Sequence, residues 1–230
     1  MHGLRTIDRA VRAGDHGKVE ALIKEGAQVN GTDAGGVTPL HRAARNGDSQ
    51  MVRLLLSYRA DPTLRTKDGW NALHLAAWYG NNRAVKLLLA NGATVNSRTP
   101  AGWNLLHMAA MQGMPSLVDI ALRSWPGKKP DIDGQDKQGL TPLHRAINRA
   151  QWEVAGLLLR KGADANIRAP DGSLPLHMAV RAGNTGMVSR LLSHGARPGK
   201  RDRSGKTAMD LARDEEKTEI VRLFWQRDIQ

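Results

Sequence analysis

Five histidines recur along the chain at a regular spacing that first suggests chemistry. They are separated by 33, 33, 37 and 33 residues and are His41, His74, His107, His144 and His177. Imidazole rings act as general bases and metal ligands, and because the sequence has no Cys, a metal would need His and carboxylate ligands alone. In stacked structural units, equivalent rings would lie roughly 10 Å apart, too far to share one ion. The spacing therefore favours a structural role over a metal centre.

Catalytic motifs give no stronger indication of chemistry. No G-x-S-x-G, G-x-x-x-x-G-K-[ST], H-E-x-x-H or G-x-G-x-x-G stands between a predicted strand and a helix. Carboxylates are scattered, and Asp33, Asp136 and Asp202 fall at the first position of predicted turns, where Asp commonly accepts hydrogen bonds from nearby backbone. We predict that the protein is not an enzyme and uses no metal or cofactor.

The charge balance of the chain is strongly basic. Its 230 residues include 34 Lys or Arg against 22 Asp or Glu, a formal net charge of +12. This charge permits acidic proteins, nucleic acid or anionic membrane surfaces as partners and does not choose among them. No apolar run approaches the roughly 18 residues of a membrane helix, and residues 1–10 lack the apolar core of a signal peptide. We expect no membrane insertion and a cytoplasmic protein, with the nucleus as the alternative.

The histidines end five matching tetrapeptides, of which T-P-L-H at 38–41 and 141–144 is the clearest form. Thr is a favoured N-cap, and Pro suits the first position of a helix. A second apolar pattern, V-x-x-L-L, follows an inter-helix glycine and predicts a second helix, which a Gly-Ala pair ends. Extending this register to Asp8 and Asp210 gives seven units. Their approximate bounds are 1–32, 33–65, 66–98, 99–135, 136–168, 169–201 and 202–230.

A 33-residue unit with T-P-L-H, paired alanines, a glycine, V-x-x-L-L and G-A-x-x-N resembles the ankyrin repeat. The resemblance covers essentially the whole chain. It implies a single domain, 1–230, with an all-α fold: a solenoid of stacked helix-turn-helix units with projecting β-hairpin-like turns and a concave groove that binds other proteins. It also implies that the histidines tie neighbouring turns together by hydrogen bonds. Three residues depart from the glycine pattern, namely Arg59, Trp125 and Ala150, and four extra residues lie within 124–134.

Three columns of side chains that the resemblance places in the groove change character together. They are the residue after the histidine and the two residues ahead of the inter-helix glycine. The residue after the histidine and the first of the two residues before the glycine are Arg in units one and two and aromatic or apolar in three and four, and Arg returns in unit five at Arg145 and Arg149. Large rings also follow the turn glycine in units three and four. The predicted partner-binding residues are Trp70, Trp78, Tyr79, Trp103, Met111, Arg42, Arg45, Arg145 and Arg149.

Apolar rings in a solvent-facing groove suggest a partner that covers them. We therefore predict a monomeric interaction module, an adaptor or scaffold, that binds a peptide or protein surface with an apolar anchor and acidic flanks. As the alternative, Trp70, Trp78 and Trp103 could form a cage for a methylated lysine or another organic cation. Nucleotide or oligonucleotide stacking on the rings is a less favoured third hypothesis. The rings could also merely pack together and stiffen the turns.

Overall fold

The computed structural model describes residues 2–123 and 130–228. This part of the chain consists of short α-helices joined by tight turns. In chain order the helices are α1 His2–Arg12, α2 His16–Lys24, α3 Pro39–Asn46, α4 Ser49–Ser57, α5 Ala72–Trp78, α6 Asn82–Ala90, α7 Leu105–Gln112, α8 Pro115–Ala121, α9 Pro142–Asn148, α10 Trp152–Arg160, α11 Pro175–Arg181, α12 Thr185–Ser193, α13 Ala208–Asp214 and α14 Thr218–Asp228. The predicted departure from the repeat at Trp125 lies outside the described residues.

The chain divides into two compact units, the first of which comprises Met1–Leu105 with Asp119–Pro130. Its helices form antiparallel pairs, α1 with α2, α3 with α4 and α5 with α6, one pair for each repeat. The first helices pack in one layer, α1 on α3 and α3 on α5, and the second helices α2, α4 and α6 pack in another. The paired alanines at 43–44 and 76–77 are fully buried, so neighbouring first helices approach closely.

The second unit comprises Leu106–Val118 with Asp131–Gln230 and uses the same packing scheme. The first helices α9, α11 and α13 form one layer, and the second helices α10, α12 and α14 form the other. Leu143 on α9 and Leu158 on α10 are buried between the layers. Each repeat therefore buries its apolar face against its neighbours instead of around one central core.

Six turns, which we call fingers, precede the first helices and share one backbone geometry. Each has five residues, and the N–H of its first residue donates to the carbonyl of its fifth at 2.8–3.1 Å. The fingers are 33–37, 66–70, 99–103, 136–140, 169–173 and 202–206. The fourth residue is a glycine with positive φ, for example 76° at Gly69. As predicted, Asp33, Asp136 and Asp202 each accept the backbone N–H groups of their finger's third and fifth residues.

The repeated histidine connects its own helix to the next finger. The Nδ1 atom of His41 accepts the N–H of the N-cap residue Thr38 at 3.1 Å. The Nε2 atom lies 3.0–3.2 Å from a carbonyl oxygen of the following finger in the pairs His41–Trp70, His107–Leu140 and His177–Lys206. Because Nδ1 accepts and Nε2 donates, the ring is held in one neutral tautomer. The hydrogen bonds between neighbouring turns that the resemblance implied are confirmed at these positions.

His74 and His144 are fully buried members of this series. Their Nε2 atoms have no hydrogen-bond partner among the described residues. The nearby backbones of Ser97 and Ile167 raise the pKa of the two rings, but burial has the larger effect. Burial lowers the pKa of His74 and the pKa of His144 to about 4. Both rings are therefore neutral over the physiological range.

Two of the predicted departures from the glycine pattern carry backbone strain, and Glu216, with φ of 54°, is a third residue of this kind. Ala150 has φ of 53° and Arg59 has φ of 62°, in the left-handed region where equivalent glycines lie elsewhere in the chain. A side chain in this region meets the following carbonyl oxygen, at a cost of roughly 1–2 kcal/mol. The repeat geometry therefore imposes the glycine conformation even where glycine is missing.

The predicted all-α fold of stacked helix-turn-helix units with hairpin-like turns is confirmed. Apart from the isolated bridges Arg65–Asn71 and Arg201–Thr207, the described ranges contain no β-structure. None of the helices in these ranges combines the length and the apolar composition that crossing a bilayer requires.

We expect Ala150→Gly to raise the free energy of unfolding by about 1 kcal/mol, because it removes the left-handed strain. Urea denaturation followed by circular dichroism measures the change. Ala155→Gly is the matched control: Ala155 is buried inside α10, so its replacement should be destabilising by about 1 kcal/mol or more. If both variants lose stability, the left-handed conformation of Ala150 does not destabilise the fold.

Acid should destabilise the fold through the imidazoles of His74 and His144. Their folded pKa of about 4 lies below the unfolded value of about 6.5, so the unfolded chain binds more protons between these values. Stability is then fully present above pH 6.5 and falls as the pH drops to 4, by up to about 3 kcal/mol for each ring. In His74→Gln the decrease in the free energy of unfolding between pH 7.5 and pH 4.5 should be smaller than in the wild type. In His194→Gln, which changes an exposed residue, it should equal that of the wild type. Equal losses in the two variants would contradict this origin.

Candidate functional site

Three tryptophans lie close together in the first unit, on two neighbouring fingers and on the helix between them. Trp70 and Trp103 are the fifth residues of their fingers, and Trp78 is the last residue of α5. The backbone N–H of Trp70 donates to the Thr66 hydroxyl, and the N–H of Trp103 donates to the Thr99 hydroxyl, each at 3.2 Å. The closed fingers therefore fix the backbone from which both rings project.

The indole ring of Trp78 contacts those of Trp70 and Trp103, and the three rings form what we call the tryptophan cluster. The centroids of Trp70 and Trp78 are 5.7 Å apart with their planes at 89°, an edge-to-face arrangement. The Trp78 and Trp103 rings are stacked at 5.9 Å with an angle of 4° between their planes. These are the separations and orientations of favourable aromatic pairs. Each tryptophan is half-buried, so the cluster still presents apolar surface to solvent.

The tryptophan cluster lines a groove of about 510 Å³ on the first-helix layer of this unit. Besides the three rings, its lining residues are Gly35, Val37, His41, Arg42, Arg45, Thr66, Asp68, Leu75 and Tyr79. A concave surface with apolar walls and a few charged groups at its edge is the usual form of a binding site. The structure thus brings six of the nine predicted site residues into one groove, namely Trp70, Trp78, Tyr79, Trp103, Arg42 and Arg45.

Tyr79 and Arg45 form a second recognisable pair at this groove. Tyr79 is 49% exposed, and the guanidinium carbon of Arg45 lies 5.2 Å from the centre of its ring, within cation–π range. The side-chain amide of Asn81 donates to the carbonyls of Ala44 and Arg45 at 2.8 and 2.9 Å. These bonds cap the end of α3 and hold Arg45 beside the next repeat. Arg45 is exposed and forms no ion pair with the described residues.

Arg42 has a different role, because carboxylates of the same unit already bind it. Its Nε atom donates to Asp8 and its Nη2 atom donates to Asp33, the first residue of its own finger. The side chain is only 17% exposed. Arg42 therefore connects the first helix α3 to the finger before it and to α1, and it has little surface left for a partner.

Arg145, Arg149 and Met111 belong to the second unit. Arg145 donates from Nε and Nη2 to one oxygen of the fully buried Asp136 at 2.7 and 2.5 Å, so it repeats the structural arrangement of Arg42. Arg149 is the exposed C-cap residue of α9, and Met111 is half-buried near the end of α7. Of these three residues, only Arg149 presents an exposed charge.

The ion pairs of Arg42 and Arg145 were not predicted from the sequence, although the sequence contains a signal for them. Each arginine follows the Asp that opens its finger by nine residues, Asp33 before Arg42 and Asp136 before Arg145. A fixed offset inside a repeat indicates a fixed distance in space. Asp and Arg that recur together at such an offset therefore predict an internal ion pair.

The repeat architecture agrees with a comparison to known families. The family described as "Ankyrin repeats (3 copies)" matches residues 7–99, 96–169 and 153–230. The chain therefore belongs to the ankyrin-repeat family. This family has a non-enzymatic fold and generally provides protein–protein interaction modules.

Individual relatives are similar over different lengths. Human BCL-6 corepressor-like protein 1 is 37% identical over 94 residues, which are 41% of this chain and 5% of that protein. The chain therefore spans only a small part of this curated relative. The ankyrin-repeat domain of Bcl-3, described as a unique member of the IkappaB protein family, matches with a TM-score of 0.84 and 28% identity over 94% of this chain and 97% of that one. The human ASB11 ankyrin-repeat domain matches with a TM-score of 0.74 and 27% identity over 89% and 90%.

We expect Asp136→Asn to lower the free energy of unfolding by about 3 kcal/mol, because it leaves the mostly buried guanidinium of Arg145 without a counter-charge. The amide still provides an oxygen for the finger N–H groups, so the change tests the charge. Asp33→Asn is the matched control, since the side chain of Asp33 is 35% exposed. The free energy of unfolding of Asp33→Asn should fall by less than about 1 kcal/mol. Equal losses in urea denaturation would refute a special role for the buried pair.

Proposed function

We propose that the first compact unit binds a peptide segment or protein surface that places an apolar side chain on the tryptophan cluster and acidic residues beside Arg45. One observation carries this proposal: three tryptophans contact one another in a groove where small polar residues would also satisfy the fold. Their exposed ring surface is unfavourable in water, and a partner that covers it gains roughly 25 cal/mol per Å² of apolar area.

Mutual packing of the rings supports binding instead of competing with it. Trp78 contacts both other tryptophans, so its ring is already restrained before a partner arrives. A restrained ring loses little side-chain entropy on binding, and aromatic residues held in this way are typical hot spots. Packing of the rings against one another is therefore compatible with binding of a partner.

The position of charges favours an acidic residue on one side of the anchor. Arg45 is exposed and is not neutralised by a carboxylate, whereas Arg42 is paired with Asp8 and Asp33. Asp68 lines the same groove from the finger 66–70, where it would repel an acidic partner. The acidic flank is thus expected on the Arg45 side, and the net charge of +12 attracts it from a distance.

Cation binding has less support from the ring geometry. Ring centroids 5.7 and 5.9 Å apart belong to tryptophans in direct contact, which leave no space between them for an ammonium group. Exposed Arg45 would also repel a cation, whereas Asp68 in the groove lining would attract one. Participation of Met111, Arg145 and Arg149, the monomeric state and the cytoplasmic location stay predictions from the sequence.

Selection of a displayed random peptide library against the whole chain tests the proposal. Enriched peptides should contain an aromatic or large aliphatic residue with Asp or Glu nearby. In calorimetry, Trp78→Ala should weaken binding of a selected peptide by at least about 2 kcal/mol, because it removes the central ring. Arg45→Gln should weaken it less and mainly slow association at low salt.

Trp225→Ala is the matched control, since Trp225 is 51% exposed and lies on α14, outside the groove lining. It should bind the selected peptides like the wild type. The assignment to the groove fails if Trp78→Ala binds normally while Trp225→Ala does not. Enrichment of lysine-rich peptides, or tighter binding of trimethyllysine than of any selected peptide, would instead support the cation hypothesis.

A further inference from the structure

The second unit carries a dense group of positive charges in its last repeats. Residues 160–206 include ten Lys or Arg against three Asp. Several of these cations have partners, such as Arg181 with Asp202 and Lys206 with Asp214. Arg160 and Arg190 have none: within the described residues, no carboxylate pairs with either side chain. They are exposed residues of α10 and α12, which pack side by side in the second-helix layer.

These two unpaired guanidinium groups converge over one glycine. A Cβ atom placed on Gly156, in the middle of α10, would lie 2.4 Å from Nη1 of Arg190 and 3.6 Å from Nη1 of Arg160. By the sum of these distances, the two Nη1 atoms are at most about 6 Å apart. Cδ of Arg190 also lies 3.6 Å from the same point, so this side chain crosses the helix where glycine leaves room for it.

Convergence of two like charges is unfavourable unless an anion joins them. Guanidinium groups at this separation can each donate to a different oxygen of one tetrahedral anion, with the short charge-assisted hydrogen bonds that Arg forms with phosphate. The nearest acidic residue along the helix is Glu153, one turn before Gly156, and it pairs with neither arginine. The site therefore has an excess of positive charge at one point.

We propose that Arg160 and Arg190 bind a phosphoryl group of a phosphorylated partner protein over Gly156. A phosphate monoester carries nearly two negative charges and three acceptor oxygens, which match two cations at one point. A nucleic acid presents singly charged phosphodiesters in a row and is met by cations spread along its backbone. This site lies on second helices of the second unit, and it is independent of the function proposed for the tryptophan cluster.

A short Gly/Ser peptide with one central phosphoserine is the probe, measured by calorimetry with the whole chain at low salt. We expect it to bind and its unphosphorylated form to show no binding. Arg160→Gln and Arg190→Gln should each weaken binding by at least about tenfold, because each removes a charge-assisted contact. Glu153→Gln should strengthen binding, since it removes the nearest negative charge on α10.

Gly156→Ala distinguishes a specific phosphate-binding site from nonspecific attraction by a basic surface. The added methyl group displaces the Arg190 guanidinium without changing any charge, so affinity should fall while the melting temperature rises, as expected for Ala in a helix. Arg203→Gln removes one exposed charge from the finger 202–206 and should leave affinity within about twofold.

Three results would overturn the proposal. The first is equal weakening by Arg203→Gln and Arg190→Gln, which indicates only general charge attraction. The second is wild-type affinity in Gly156→Ala. The third is a single-stranded oligonucleotide that binds more tightly than the phosphopeptide and loses this affinity in both Arg160→Gln and Arg190→Gln. Normal circular dichroism spectra of all variants keep these results separate from a loss of folding.

Discussion

A neutral imidazole near the start of a first helix holds two backbones together, and the arrangement of fingers depends on it. In His41 one ring nitrogen accepts the N-cap N–H of its own helix while the other donates to the carbonyl of Trp70 in the next finger. The bond that Nδ1 accepts is possible only while the ring is uncharged, because both nitrogens of a protonated imidazole are donors. The same desolvation that makes these bonds valuable therefore also makes the stack sensitive to acid.

The position of each finger in turn determines which side chains meet. Trp70 and Trp103 close their own fingers, so bonds that fix the fingers also bring both rings to Trp78. The arginines that follow the repeated histidines, in contrast, do not meet at a shared surface. Arg42 and Arg145 look like partner-binding cations in the sequence, but each turns back to the Asp of its own finger. Because Arg42 and Arg145 form internal ion pairs, Arg45 is the exposed cation beside the tryptophan cluster.

The two layers of helices offer different chemistry. The first-helix layer of the first unit presents aromatic surface with one adjacent cation, suited to an apolar side chain and an acidic neighbour. The second-helix layer of the second unit places Arg160 and Arg190 over a glycine, suited to a single strongly charged group. A repeat protein can carry such separate surfaces because each repeat is stabilised by its immediate neighbours, so side chains outside those contacts are free to vary.

The sequence by itself determined the repeat length, the helix and turn order, the positive φ at Ala150 and the bridging role of the histidines. These features follow from local rules for caps, glycines and helical periodicity, and repetition makes the same signal appear several times. Only the tertiary structure decided that the tryptophans contact one another, that Arg42 is occupied and that Arg190 crosses α10. These outcomes depend on side-chain directions and on distances of a few ångström between neighbouring repeats. Spacing in the sequence fixes which backbones are adjacent, but it does not fix which side chain reaches which partner.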